Sequence, residues 1–302
     1  MAPFRFGYQV HSDIVDLAAI AREAEDAGFD VISTWDHVGD KLSPTVPLMA
    51  MAAATTRIRV CAMVINNDFR HPVHLAMEYA DLDQFSNGRA ELGIGAGHAF
   101  TEYAAIGVPF DPPATRKRRM AEAVEIVRRL LDGEEVTFIG EHYQLTGVRT
   151  KRSLQSRLPI LVGVNGRDAL AHAAQHADTI GLTMMGRTLE DGNRHEVRWE
   201  ADRLDATVAF IADHAGDRAV ELNALVQAVV VTDDRRAAAE GFCAEVPTLS
   251  VDDALTTPFL ALGTHDEIAA HLLECRRRWG ISYFTVRSIT DFAPVIARLR
   301  AV

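Results

Sequence analysis

Cysteine is scarce in this chain, with three in 302 residues. Cys61, Cys243 and Cys275 are odd in number and far apart, which fits neither a disulfide framework nor a Cys-x-x-Cys metal knuckle, so they read as buried thiols. Positive charge is also in deficit. The 31 basic residues against 42 acidic ones give a formal charge of −11, which repels a phosphate backbone and argues against nucleic acid as a partner. No apolar run approaches the roughly 20 residues needed to cross a bilayer. The opening MAPFRFGYQV lacks a charged leader followed by an apolar stretch. The expectation is a cytoplasmic protein that engages no membrane. Linkers, low-complexity tracts and short-period repeats are missing too, so residues 1–302 read as a single domain.

What is present is apolar sequence of two alternating kinds. Hydrophobic residues make up 48% of the chain, enough for a large core. Strand-like runs are FRFGYQ from Phe4, VIST from Val31, IRVCAMVI from Ile58, AELGIG from Ala90, PILVGV from Pro159, DTIGLT from Asp178, LNALVQAVVV from Leu222 and ISYFTV from Ile281. Between them the period becomes helical. Ile14, Leu17, Ala21 and Ala24 precede Gly28; Met120, Val124, Val127 and Leu131 precede Gly133; Ile268, Leu272, Cys275 and Trp279 precede Gly280. Thr264 and Glu267 have the spacing of a capping box. Strand–helix units repeated in this way predict an α/β fold, a (β/α)8 TIM barrel rather than an open doubly wound sheet. Segments near 134–147, 183–196 and 246–258 read as insertions, the first alternating like a small hairpin.

In such a barrel the working residues leave the carboxyl ends of the strands. That singles out Asp36 and His37 in ISTWDHVGD. The imidazole exchanges a proton near neutral pH and an adjacent carboxylate can orient it; alternatively Asp36 caps a turn and His37 packs. In ELGIGAGH, Gly93, Gly95 and Gly97 share one face of a strand. Either something flat or bulky approaches that bare face, or the barrel packs tightly there. A dinucleotide fingerprint fails, because it requires glycine where His98 or Phe100 stands. In VGVNGRDALAHAA, Gly163, Asn165 and Gly166 join a strand to a helix whose amino end would cradle a phosphate, with Arg167 as a further charge; a plain turn would also use Gly and Asn.

Other polar sets carry less. His71, His74 and Glu78, and His172 with His176, have spacings that can bind metal. The first set begins a helix and the second lies inside one, remote from the strand ends, so no metal site is assigned and a metal-dependent hydrolase is set aside. Arg116, Lys117, Arg118 and Arg119 open a helix and read as a solvated face, with contact to an anionic cofactor tail as the alternative. Met184 and Met185 offer an adaptable apolar wall, or ordinary packing.

Taken together, AEDAGFDVISTWDHV, RVCAMVINNDFRHPVHLA, LDQFSNGRAELGIGAGH and LGTHDEIAAHLLECRRRWGISYFTV resemble, in order and spacing, the luciferase-like superfamily. The resemblance is specifically to its branch of oxidoreductases that use the deazaflavin coenzyme F420. It covers nearly the whole chain and is strongest from Ala24 to Phe110. The combination of D-H after strand two, R-H-P opening helix three and G-R-x-E-L-G-x-G-x-G in strand four is more specific than any one motif.

The resemblance implies a barrel mouth that holds the deazaflavin ring over a bulge in strand three. In relatives that bulge contains a non-proline cis peptide, which the R-H-P motif places between Met63 and Val64. By the same matching Asp36, His37, Met63, Val64, Gly95, Ala96 and Gly97 border the ring, and Gly163, Asn165 and Gly166 hold the cofactor phosphate. His37 is the implied acid, base or cofactor polariser, with Asp36 orienting it. In the sugar-phosphate dehydrogenase branch a glutamate and a tryptophan stand where this chain has His98 and Lys41. The sugar-phosphate reaction is therefore not expected, and His98 becomes a second candidate proton donor, with Glu102 and Tyr103 shaping the substrate side. The implied activity is hydride transfer between deazaflavin C5 and a small organic substrate, reducing an activated C=C or C=N bond, in a homodimer. The rivals are an FMN-dependent luciferase-like monooxygenase and a non-catalytic cofactor- or ligand-binding barrel.

Overall fold

The computed structural model describes residues 2–10, 16–39, 41–188, 195–246 and 248–301. Eight strand positions form one closed parallel sheet. They are β1 (Arg5–Gln9), β2 (Val31–Thr34), β3 (Arg59–Ala62, resumed by Ile65–Asn66), β4 (Ala90–Gly95), β5 (Ile160–Val164), β6 (Thr179–Leu182), β7 (Glu221–Leu225) and β8 (Ile281–Val286). Phe6 of β1 stands opposite Phe284 of β8, and β3 pairs with β4 through Val60 and Ala90, which completes the circle. The expected TIM barrel is what forms. Strands covered on both faces read as nearly continuous apolar runs, and β2, β4 and β8 are buried along their whole length.

The helices that matter to the mouth are α1 (Leu17–Asp26), α2 (Thr45–Ala54), α3 (Pro72–Phe85), α4 (Phe100–Ile106), α5 (Pro113–Leu131), α6 (Arg167–His176) and α7 (Ala201–Ala215). Proline opens α3 and α5, where its missing N–H costs nothing. Near the carboxyl end the helix His265–Trp279 starts on the expected capping box: Thr264 accepts from the Glu267 amide at 3.3 Å and Glu267 accepts from the Thr264 amide at 2.8 Å. It ends at Gly280 with φ +69°, a left-handed position that glycine adopts without strain. Ile14 of the first helical pattern lies outside the described residues.

One strand reading needs correction. LNALVQAVVV is not one strand. The Val226 amide still donates to Thr285 O of β8 at 2.8 Å, but the next amide, Gln227, donates to Phe259 O at 2.7 Å. The chain changes neighbour there, and Ala228–Val231 pairs in parallel with Leu260–Gly263, a strand that was not expected. An uninterrupted β-branched run carries no mark of a change of partner. The hairpin is present as Val136–Ile139 against Gln144–Val148. A second antiparallel pair, Met185–Thr188 with His195–Val197, follows β6. Of the three cysteines, Cys61 and Cys275 are buried and Cys243 only partly so. The amino end of the barrel is closed by Glu91, which is 2% exposed and takes the Arg5 guanidinium at 2.6 Å together with that of Arg59. That floor leaves the opposite end for chemistry. No helix among the described residues is long and apolar enough to cross a membrane.

Candidate active site at the barrel mouth

Trp35, Asp36 and His37 follow directly on β2. Neighbouring residues that leave a strand point to opposite sides, and the two polar groups accordingly find different partners. Asp36 accepts the Asn66 amide at 2.8 Å and pairs with the Arg70 guanidinium at 2.5 and 3.3 Å. It fastens the loop after β2 to the resumed part of β3 and to the arginine of the R-H-P motif. The His37 ring instead meets Glu102, with Nδ1 2.5 Å from Oε1. The expectation that Asp36 orients His37 is therefore corrected: the carboxylate at the imidazole is Glu102, in the first turn of α4. Glu102 was expected on the substrate side but not in this contact, because 65 positions separate the pair.

His98, just after β4, stacks edge-on against His37 with ring centroids 5.6 Å apart, and its ring lies 5.3 Å from that of His195. Burial, and then the positive charge that His195, His37 and Arg116 would carry, push the His98 pKa down to about 4. It is a neutral imidazole at physiological pH, able to hydrogen-bond but without an ionisable proton to give. His195 comes from the antiparallel pair beside β6. It was missed because it sits in a segment read as an insertion, with no motif around it.

The three glycines of β4 and its loop face the protein's own third strand. The Met63–Val64 peptide is cis, as the resemblance implied. A Cβ at Gly93 would overlap the carbonyl oxygen of Ala62, and one at Gly95 would lie 2.7 Å from Cγ2 of Val64. Gly163 of β5 completes the hollow, with Val64 methyls 3.4 and 3.6 Å from where its Cβ would be. The bare face thus receives the bulge of β3. Of the two expectations for that face, a bulky group approaching it or tight packing of the barrel, the second holds: the Ala62 carbonyl and Val64 fill it. Gln9 supports the bulge by donating to Met63 O at 3.0 Å. Gly97 has φ +71°, and its missing side chain makes way for the Tyr103 hydroxyl.

The basic run is a solvated face only at Arg118, which is exposed and pairs with Glu141; its other members turn inward. Arg116 is 5% exposed, with its guanidinium 4.0 Å from the Phe110 ring centroid, and it donates to Ala96 O at 3.2 Å and Gly97 O at 3.3 Å. Arg119 pairs with Asp68 at 3.0 Å and with Asp111. Lys117 reaches the β5–α6 junction, its Nζ 3.0 Å from where a Gly166 Cβ would be. Arg167, the charge expected there, lies over the Phe210 ring at 4.6 Å instead. Gly166 caps α6 with φ +91°, and Asn165 donates to Met185 O. A cavity of about 260 Å³ opens beside this junction, lined by Asn165, Leu182, Met184, Met185, Arg198 and Arg203. A half-buried ammonium, the amino end of α6 and a partly apolar wall suit a planar ring with an anionic tail.

The histidines with metal-like spacing lie at the start of α3 or within α3 and α6. His71 caps α3 by accepting the Val73 amide at 3.3 Å. His172 and His176 stack at 4.3 Å along α6, and burial with the neighbouring imidazole pushes His172 down to about 4. No cluster of three or more His, Cys, Asp or Glu among the described residues could hold a metal ion.

The family model described as luciferase-like monooxygenase matches residues 1–283. The chain belongs to that family. Among curated members, an F420-dependent glucose-6-phosphate dehydrogenase from Kineococcus radiotolerans is 34% identical over 58% of this chain and 55% of its own length. A 5,10-methylenetetrahydromethanopterin reductase from Archaeoglobus fulgidus is 32% identical over 58% of this chain and 52% of its own. The aligned part thus spans about half the length of each of these two luciferase-like relatives. In structure, the coenzyme F420 dependent tetrahydromethanopterin reductase from Methanopyrus kandleri superposes with a TM-score of 0.77 at 20% identity, covering 99% of this chain and all of that one. At that identity the likeness is one of fold.

Proposed function

We propose that this protein is an F420-dependent oxidoreductase acting on a small organic molecule, and that it reduces an activated C=C or C=N bond. The observation that carries the reading is the His37–Glu102 pair after β2, with the Met63–Val64 bulge of β3 and the Lys117–Gly166 approach after β5 at the same end of the barrel. The names of the relatives supply the cofactor class. Coenzyme F420, when bound, supplies or accepts the hydride. The chain does the rest. Lys117 and the amino end of α6, with Gly163, Asn165 and Gly166, hold the anionic tail. Met63, Val64 and the Gly95–Ala96–Gly97 turn support the ring. His37 gives or takes the proton that balances hydride transfer. His98, neutral, lines the substrate side as a hydrogen-bonding group. Asp36 acts at one remove, by holding the loop that carries His37.

Residues 1–302 are taken as one working unit, cytoplasmic and homodimeric, with glucose 6-phosphate outside its substrate range because His98 and Lys41 replace the acid and tryptophan of that branch. The test is to mix the protein with reduced F420 and a panel of enones, imines and glucose 6-phosphate, and to follow F420 absorbance without and with oxygen. Oxidation of reduced F420 by an enone or imine, with no oxygen uptake, is the expected result. Activity confined to reduced FMN with oxygen consumption would replace this reading with the monooxygenase one.

A further inference from the structure

The geometry points to Glu102 as the positioning residue for His37, holding the imidazole in its Nδ1–H tautomer so that Nε2 is the nitrogen that handles the proton. This rests on the acid–base role given to His37 above. A carboxylate only accepts hydrogen bonds, so at 2.5 Å from Oε1 the Nδ1 atom must carry the hydrogen. The tautomer is then set by the partner and not by chance.

The support under Glu102 is what makes it a fixed point. The adjacent Tyr103 is fully buried, and its hydroxyl lies 3.1 Å from Asn66 Oδ1 and 3.0 Å from Asp68 Oδ2. Asp68 is in turn gripped by Arg119 at 3.0 Å. α4 ends in a left-handed Gly107, φ +73°. A seven-residue helix pinned at both places presents Glu102 to the His37 ring with 15% of its side chain exposed, against 33% for His37. Asp36 is unavailable for the task, since Arg70 and the Asn66 amide occupy it. His98 meets His37 ring to ring and offers no carboxylate.

The experiment uses full-length protein labelled with 15N at histidine, with His37→Ala to assign the His37 signals. Wild type is expected to show a protonated Nδ1 and an unprotonated Nε2 in the neutral ring. Glu102→Gln is expected to give a mixture of tautomers and to lower kcat about tenfold or more, part of the roughly 10²–10⁴-fold that a positioned acid–base group contributes, while KM and F420 affinity stay within about twofold. Should that variant fold poorly, Glu102→Ala with added formate serves: restoration of kcat and of the Nδ1–H signal by the small carboxylate supports the assignment. A wild-type His37 found as the Nε2–H tautomer overturns it. So does a Glu102→Gln protein with unchanged tautomer and kcat. If the tautomer responds to Glu102 but His37→Ala keeps full turnover, the acid–base reading of His37 fails and the positioning contact stands.

Discussion

A methyl group added at Gly95 probes whether the glycines of β4 exist to receive the third strand. Its carbon would lie 2.7 Å from Val64 Cγ2, about 1 Å inside the 3.5–4.0 Å at which carbon atoms attract. The obstruction is a side chain, so the bulge must shift or Val64 must turn, and overpacking of this kind costs about 1–3 kcal/mol. At Gly163 the same methyl would sit 3.4 and 3.6 Å from Val64, ordinary contact, and Gly163→Ala should change stability by under about 0.5 kcal/mol. Val64→Ala removes the offending methyls and by itself costs about 1–2 kcal/mol of lost burial. The decisive quantity is the coupling in a double-mutant cycle measured by urea unfolding. Gly95→Ala with Val64→Ala should be less destabilising than the sum of the single changes by about 1 kcal/mol or more, since residues in contact couple where distant ones add. Additivity to within about 0.5 kcal/mol would mean that the two positions do not meet, and that the bare face serves something other than the bulge.

His37→Ala should keep the thermal midpoint of the wild type and lose most turnover, read as melting and kcat on the same preparation. Lys117→Ala should weaken F420 by about ten- to a hundredfold, the value of a hydrogen bond to a charged group, yet leave untouched the affinity for the deazaflavin with its ribityl chain and no phosphate; equal losses for both ligands would remove Lys117 from the tail site. The folded-state pKa of His98 lies near 4, below the unfolded value near 6.5. The unfolded chain therefore binds more protons across that window, and the contribution of His98 to stability is full above about pH 6.5 and is lost as pH falls towards 4. His98→Gln should flatten the urea midpoint against pH in that interval, and an unchanged slope would contradict the burial assigned to His98.

The barrel was legible because its signals are local. Eight apolar runs, the glycines at φ > 0 that end helices and one capping box each depend on a few adjacent residues, and all but the split after Leu225 fall where expected. The cis peptide between Met63 and Val64 was placed by family resemblance alone. What escaped was pairing at a distance. Asp36 adjoins His37 in sequence and yet serves Arg70, while the carboxylate at His37 arrives from α4. The basic run looked solvated because its counter-groups, Asp68, Asp111 and two main-chain carbonyls near β4, are contributed by other elements. His195 had no motif to announce it. The glycine pattern was read correctly as a close approach, but its occupant is Val64, which belongs to a neighbouring strand.

The most direct test of the central reading is a titration of cofactor-free protein with F420 and, separately, with FMN, followed by tryptophan emission. Trp35 lies 5.8 Å from the His37 ring and would report a heterocycle entering the mouth. Saturable quenching by F420 at much lower concentration than by FMN is expected, with the F420 response lost in Trp35→Phe. Quenching by FMN alone, or none by either, would contradict it.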